Sequence, residues 1–492
     1  MENAMVVKNR LAVGVFIALI YVILIMFIPH NTPRFSGMES DLTTSYINGA
    51  VTIDNIVRGR GSGTLWKGMA AFDIQGIGYP AALWIVGGLF DTPVRAWNYF
   101  TAAKWISICS AAAILIFVMC VLGIKSGIIA SVVLMINPIF LELSCNGCTD
   151  LFTVALLLWS GWCLWKRLPF WSGVLLGIGV ISRYEYIIFL PFILWWIMQQ
   201  KDIIRWRATL FLLVPLIGLL AINFTIAHFP PSGGKYNLAL HYLNDDRQPD
   251  FFVDSLMNKY PTTYSIITAD YKETIRIAGR DTWNNVAQIG IMFNVLLASA
   301  LLWALKGWKK HKILIIALLT HFIIINFTVF YWATLRYYML EMVFVVVCGS
   351  YAIDRVGLIR WKRIWVFVPL LLWSLNLFGG ELQKQTKGGS DFFLPLRGKI
   401  SPESSVLSIR PTMALVAGVN WRYWKPTIGN IYQYCKENKI DFVLYSGHEY
   451  NYRPEWRKKL SDTQNALPEF VAIASDSSRY ILYWVAESTK SP

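Results

Sequence analysis

The chain has 492 residues, 55% of them hydrophobic and 15% charged, with 22 tryptophans and a net charge of +15. Soluble globular chains carry roughly 25% charged residues, so the composition excludes an ordinary soluble protein and indicates a membrane protein with a limited soluble part. The positive charge does not mark a nucleic-acid face, because its placement follows the apolar segments.

Sixteen basic residues, from Lys8 and Arg10 through Lys166, Arg167, Arg205 and Arg207 to Arg360, Lys362 and Arg363, fall in short gaps on every second side of those segments. They share the gaps with Glu2, Asp202 and Asp354. That alternation is the positive-inside pattern, and it orients the chain. A spanning helix needs about 20 mostly apolar residues. Together the two rules predict a polytopic α-helical membrane protein of about eleven spans.

The first span, 11–28, runs outward. It is longer than a signal-peptide core and has no small-residue cleavage site, so it reads as a retained anchor. An outer loop over 30–78 follows, and 79–90, too short to cross, reads as an interfacial helix. Spans are predicted at 97–124, 126–143, 151–165, 170–182, 186–198 and 208–227. A second outer loop, 229–285, carries an amphipathic surface helix over 264–278. Spans at 286–305, 313–331, 338–353 and 365–378 complete a membrane module over 1–380. Residues 381–492 read as a small extracytoplasmic α/β domain. Strands at 405–409 and 441–445 flank a helical stretch, 428–438, and a later strand pair, 470–474 and 480–484, surrounds a turn. Of the seven cysteines, four fall inside apolar segments as small core residues. Cys145 and Cys148 form a lone C-x-x-C pair, which cannot close a four-ligand zinc site; a local disulfide or two free thiols suits it better.

Ionisable residues at span borders are costly and are functional candidates by default. The stretch FSGMESDLTTSY (35–46) places Glu39 and Asp41 just beyond the first span. Asp150 and Glu142 bracket the next outer turn, Arg183 and Glu185 lie in SRYEY, and Arg336 with Tyr337 lies in ATLRYY, with Glu341 a little further on. The predicted topology brings them to one face, near Lys104. Single border charges often only snorkel, but acids and arginines from three separate turns suggest a shared site. Arginine's planar fork grips a phosphate through two hydrogen bonds, and a carboxylate beside it can deprotonate an acceptor hydroxyl. That combination describes transfer of a sugar from a polyprenyl phosphate. Plainer readings stand beside these. Asp150 suits a helix N-cap, and Arg183 and Glu185 are close enough to pair with each other. Lys235 in PPSGGK is a flexible-loop cation that could close over phosphate, and His321 is an interior histidine.

Taken in order, these segments resemble the GT-C class of polytopic glycosyltransferases, which includes protein O-mannosyltransferases and aminoarabinose transferases, over roughly residues 11–353. The loop with Asp41 resembles the acidic motif whose carboxylate is the base, although here Ser40 separates Glu39 from Asp41. GIGYPAALWIVGGLF (76–90) resembles the juxtamembrane proline helix, with Pro80 alone of the usual pair. NPIFLELSCNGCTDLF (137–152) resembles the segment whose acid, here Asp150, opens the fourth span. GVLLGIGVISRYEY (173–186) resembles the glycine-rich helix ending in a cation, here Arg183. LRYYM (335–339) resembles the turn that contacts the lipid phosphate.

The resemblance implies an inverting glycosyltransferase in a bacterial inner membrane, with its site on the extracytoplasmic face. Its partners would be a polyprenyl-phosphate sugar donor, a glycan, lipid or protein acceptor, and the bilayer, with no nucleic acid. It implies Asp41, Glu39 and Asp150 as catalytic acids and bases. Arg183, Glu185, Arg336, Tyr337 and Lys235 would hold the substrate and its lipid phosphate. No cofactor is implied and no divalent metal is indicated. The competing readings are a membrane transporter or lipid flippase and a glycan polymerase. Transporters gather charge near the midplane between inverted repeats, whereas here the charges gather at one end.

Overall fold

The computed structural model describes residues 4–26, 46–59, 76–91, 95–145, 147, 149–200, 204–226, 259–260, 262–328, 335–355, 390–408, 412–424, 428–446, 454–461, 468–476 and 480–486. Helix α1, Ala4–Met26, is apolar almost throughout, yet one stripe faces inward. Gly14, Ala18, Tyr21 and Ile25, spaced by three or four residues, are buried, while Phe16, Leu19 and Leu24 stay exposed. Small residues in that stripe let α1 lie close to the later helix that carries Met119.

Two short helices follow in the first loop region, α2 over Asn48–Val57 and α3 over Gly78–Gly87. The sequence reading placed 30–78 wholly in a loop. Its described part is helical because buried Ile47, Ala50 and Val51 pack against Tyr79, Leu83 and Tyr99. Helix α3 lies where the interfacial helix was predicted, at 79–90; Tyr79 and Leu83 are fully buried, while Ile85 and Leu89 face outward.

Helix α4, Arg95–Val121, leads to α5, Ile124–Ile136, and α6, Pro138–Cys145. The predicted span 126–143 is bent by 68° where α5 meets α6. The cause is local. Pro138 cannot continue the ladder, Asn137 takes the extended backbone favoured before proline, and its Oδ1 accepts the N–H groups of Ile139 and Phe140 at 3.0 Å. Helices α7, Thr149–Trp165, and α8, Pro169–Ser182, are followed by a 3₁₀ turn, Tyr184–Phe189, then α9, Leu190–Gln199, and α10, Arg205–Ile226. A Cβ at Gly173 would run into the carbonyl of Leu212, so α8 and α10 touch backbone to backbone.

The second loop region also differs from expectation. Helix α11, Thr263–Ala269, starts with a reciprocal cap between Thr262 and Ser265. Asp270 then caps α12, which runs unbroken for 36 residues from Tyr271 to Lys306. The predicted surface helix at 264–278 is thus split at Asp270, and its second half joins the span predicted at 286–305. Nothing in 271–285 breaks a helix, and Glu273 and Arg276 support it one turn apart, at 2.5 and 2.7 Å. Helix α13, Trp308–Thr328, a 3₁₀ turn, Leu335–Tyr338, and α14, Met339–Arg355, complete the described helices of this module.

Helices occupy ten of the predicted span positions, and the one at 365–378 lies outside the described residues. Four are long and apolar enough to cross a membrane, or five if the bent pair is one span; others are shorter apolar helices. The main core joins Leu115 and Val118 of α4, Leu134 of α5, Val154 and Leu158 of α7, and Val343 and Val346 of α14.

The boundary expected at 380/381 also lies outside the described residues. Beyond it a five-stranded sheet forms, in the order β2-β1-β3-β5-β4. Its strands are β1, Ser405–Ser408, β2, Asn420–Tyr423, β3, Phe442–Ser446, β4, Phe470–Asp476, and β5, Tyr480–Val485. The first three are parallel and the last two antiparallel. Neighbouring β1 residues Val406 and Leu407 enter separate cores on opposite faces, as a sheet covered on both sides requires. Strand β2 was not expected from the sequence; four residues give little pattern, and buried Trp421, which donates to the Ser408 carbonyl at 3.1 Å, holds it in place.

Candidate functional site

Helix α8 ends where Arg183 turns extended, with φ −147° and ψ 107°. The chain there enters the 3₁₀ turn that carries Glu185 and Tyr186. Asn223 of α10 fixes the turn from behind. Its Oδ1 accepts the Ile77 N–H at 2.9 Å, and its Nδ2 donates to the Tyr184 hydroxyl at 2.9 Å. A Cβ at Gly78 would collide with Ser182 Oγ, so the start of α3 sits directly on this end of α8.

Asp150 lies in the first turn of α7 and is buried. It pairs with a cation from another turn: Arg183 Nη1 donates to Asp150 Oδ1. Arg183 Nε donates to Glu185 Oε1 at 2.5 Å. The side chains of Arg183 and Asp150 are each 5% exposed and that of Glu185 is 21% exposed. A buried guanidinium therefore lies between two carboxylates, an arrangement that survives burial only because each charge has a partner. Two of its three nitrogens are committed, so Arg183 is more a counter-ion for Asp150 and Glu185 than an open phosphate clamp.

The second arginine arrives from the Leu335–Tyr338 turn. The Arg183 and Arg336 guanidiniums both lie 4.8 Å from the Tyr337 ring centre. Arg336 Nη2 also donates to the Tyr337 hydroxyl at 3.0 Å. Tyr337 thus joins the two arginine turns, which gives it a positioning role that sequence could not define.

A further polar pair lies beneath this layer. His321 Nδ1 and Glu341 Oε1 are 2.5 Å apart, and the histidine ring stacks on Tyr186 at 5.4 Å and 13°. Tyr186 in turn lies under Arg183 at 5.8 Å. His321 is less fully satisfied than an ordinary interior histidine: its Nε2, like Glu341 Oε2, is buried with no hydrogen-bond partner among the described residues.

Of the site residues expected from sequence, Asp150, Arg183, Glu185, Arg336 and Tyr337 come together here. Asp41, Glu39 and Lys235 lie outside the described residues. Lys104 packs over Phe100 at 5.3 Å. Sequence reasoning passed over Tyr186, which links the layers, and Asp54 on α2. Asp54 is buried and accepts from Arg58 at 3.0 Å and from the Trp84 indole at 3.1 Å. The Asp54–Arg58 spacing of four was a legible helix signal. Cys145 is buried, and Cys148 lies outside the described residues. Among the described residues no three His, Cys, Asp or Glu side chains gather as a metal site.

No protein-family model and no curated sequence matches the chain. Solved structures match it in fold. ArnT from Cupriavidus metallidurans, bound to undecaprenyl phosphate, aligns over 99% of this chain and 99% of its own, with a TM-score of 0.50 and 11% identity. The oligosaccharyltransferase of Archaeoglobus fulgidus, in the apo form, aligns over 90% of this chain and 69% of its own, with a TM-score of 0.51 and 13% identity. The architecture is the GT-C fold of polytopic membrane glycosyltransferases, with a small C-terminal sheet.

Proposed function

We propose that this chain, with its GT-C fold, is a glycosyltransferase that moves a sugar from a polyprenyl-phosphate carrier to an acceptor hydroxyl. The acceptor belongs to a surface polysaccharide, a lipid or a protein. The site faces the extracytoplasmic side of a bacterial inner membrane, opposite the basic connectors. The observation that carries the reading is the convergence of Arg183, Asp150 and Glu185 with Arg336 and Tyr337 from separate turns. A solved structure of the same fold, at a TM-score of 0.50, holds undecaprenyl phosphate.

In the proposed reaction a loop carboxylate, Asp41 with Glu39 as its neighbour, takes the proton of the acceptor hydroxyl. The freed oxygen attacks the anomeric carbon, the bond from that carbon to the phosphate oxygen breaks, and the configuration inverts. Negative charge then grows on the departing lipid phosphate, where Arg336 offsets it. Asp150 and Glu185 hold Arg183, and Arg183 and Arg336 share Tyr337 as their support. No cofactor enters the scheme.

The test is a transfer assay with the purified chain and a panel of polyprenyl-phosphate sugars, comparing Asp41→Asn with Glu39→Gln. Loss of a general base lowers the rate by about 10²–10⁴-fold. We expect that loss in Asp41→Asn and measurable turnover in Glu39→Gln. The opposite ranking moves the role to Glu39. Full rates in both single variants and the double variant remove the base from this loop. Lipid translocation in proteoliposomes with no transfer to any acceptor overturns the enzyme reading in favour of a flippase.

A further inference from the structure

We propose that the far end of α8 carries a binding site for an anionic glycerophospholipid, recognised by two arginines and an apolar wall. A cavity of about 510 Å3 opens there between the α7–α8 turn and the start of α10. Arg167 and Arg207 line it together with Phe170, Trp171, Phe211 and Leu164, and no acidic side chain does so among the described residues. The lining is amphipathic in the way a lipid is, with cations at the border and rings and aliphatic groups beside them. Basic openings between membrane helices take acidic lipid headgroups for this reason. An ordinary soluble phosphate would use the arginines and leave the apolar wall uncovered.

The backbone gives an independent reason to regard Arg167 as placed for a purpose. It has φ +63°, the left-handed region, at the close of α7, where its N–H reaches the Leu164 carbonyl at 3.0 Å. Glycine is the usual residue in that position because it carries no Cβ penalty. An arginine there accepts backbone strain that glycine would avoid. Arg207 is held over the Trp206 ring at 5.2 Å. Helix α8 begins at Pro169 without a side-chain cap, so its positive end is open toward the same opening. Fourteen residues of α8 separate the cavity from the Arg183 cluster, a distance of roughly 21 Å at 1.5 Å per residue. The proposal therefore stands apart from the transfer reaction.

The experiment uses the purified full chain in neutral detergent micelles, titrated with phosphatidylglycerol or phosphatidylcholine of the same acyl chains. Bound lipid is read by native mass spectrometry and melting temperature by intrinsic fluorescence. Each arginine is worth about fivefold in affinity and the pair about thirtyfold. We expect phosphatidylglycerol to bind preferentially, Arg167→Gly to lose about fivefold of that preference, and Arg167→Gly with Arg207→Gln to lose nearly all of it. Without lipid, Arg167→Gly should melt at the wild-type temperature or above, since glycine relieves the strained φ, so the loss cannot be misfolding. Lys125→Gln, an exposed basic residue outside the cavity, should keep the preference. Equal binding of the two lipids by the wild type overturns the proposal, as does an undiminished preference in Arg167→Gly. An equal loss in Lys125→Gln also overturns it, by assigning the effect to general surface charge. Displacement of phosphatidylglycerol by glycerol 3-phosphate at similar concentration removes the apolar half of the site, and with it the lipid.

Discussion

Arg183→Met probes the ion cluster most sharply, because methionine keeps much of the length and volume and removes the charge. Two carboxylates then lose their shared cation. Removing one partner of a buried ion pair costs about 3–5 kcal/mol, since the remaining charge stays stranded. Counting bonds gives the same scale, because two charge-assisted hydrogen bonds at about 1.5–3 kcal/mol each are lost. Asp150→Asn removes one acid and leaves Arg183 paired with Glu185, so its cost should be that of one such bond, about 1.5–3 kcal/mol. The Glu185 side chain is 21% exposed, against 5% for Asp150. Water can reach the former and compensate, so Glu185→Gln should cost about 1 kcal/mol or less.

The expected order of damage is Arg183→Met, then Asp150→Asn, then Glu185→Gln. It is read from unfolding by sodium dodecyl sulfate titrated into mixed micelles, followed by tryptophan fluorescence. Arg183→Met combined with Asp150→Leu should be more stable than Arg183→Met alone, because the stranded buried charge is gone. The coupling should lie within about 0.5–3 kcal/mol. Arg183→Met within about 0.5 kcal/mol of wild type, the scale of an ordinary surface substitution, would refute the buried pairing. So would Glu185→Gln more damaging than Asp150→Asn.

Three further outcomes are expected. Arg336→Ala should weaken undecaprenyl phosphate binding by about tenfold or more, with Arg336→Lys recovering part, because lysine supplies the charge without the planar fork; wild-type affinity in the alanine variant removes Arg336 from the site. His321→Phe should lower stability by leaving Glu341 buried without its partner, whereas His321→Phe with Glu341→Leu should match or exceed wild type in the same unfolding titration; a double variant weaker than the single would contradict this. Ser461, exposed in the C-terminal domain, should react as Ser461→Cys with a membrane-impermeant thiol reagent applied to intact cells; labelling only after permeabilisation reverses the proposed orientation and with it the shared face of the site.

Much of the membrane module was legible because its helices are coded by length, apolarity and the alternation of basic gaps, all local properties. What failed was equally physical. Residues 48–57 were read as loop and 271–278 as part of a separate surface helix, yet one packs Ala50 and Val51 into a small core and the other belongs to a long capped helix. The bend at Asn137–Pro138 was available from the residue types, and the span length overrode it. In the site, the turns that carry charge and the local Arg183–Glu185 pair were legible, but the long-range pairing was not. Arg183 finds Asp150 across 33 residues and His321 finds Glu341 across 20. Helix packing decides such contacts, and no spacing rule reaches them.

That pairing changes which residues can do chemistry. From sequence, Arg183 and Arg336 were both candidates for a phosphate, with pairing to Glu185 as the other reading of Arg183, and Asp150 stood beside Asp41 as a candidate acid or base. In the structure, Arg183 commits Nε and Nη1 to carboxylates. A bidentate grip on an incoming phosphate would have to break one of those bonds and strand a carboxylate, which costs about as much as the new hydrogen bond would supply. Arg336 is supported on Tyr337, to whose hydroxyl its Nη2 donates at 3.0 Å. Asp150 is bound by the same pairing, since its Oδ1 accepts from Arg183 Nη1 in a buried setting. In the proposed reaction the phosphate falls to Arg336 and the proton to the acids of the first loop, while Arg183 and Asp150 hold each other in place.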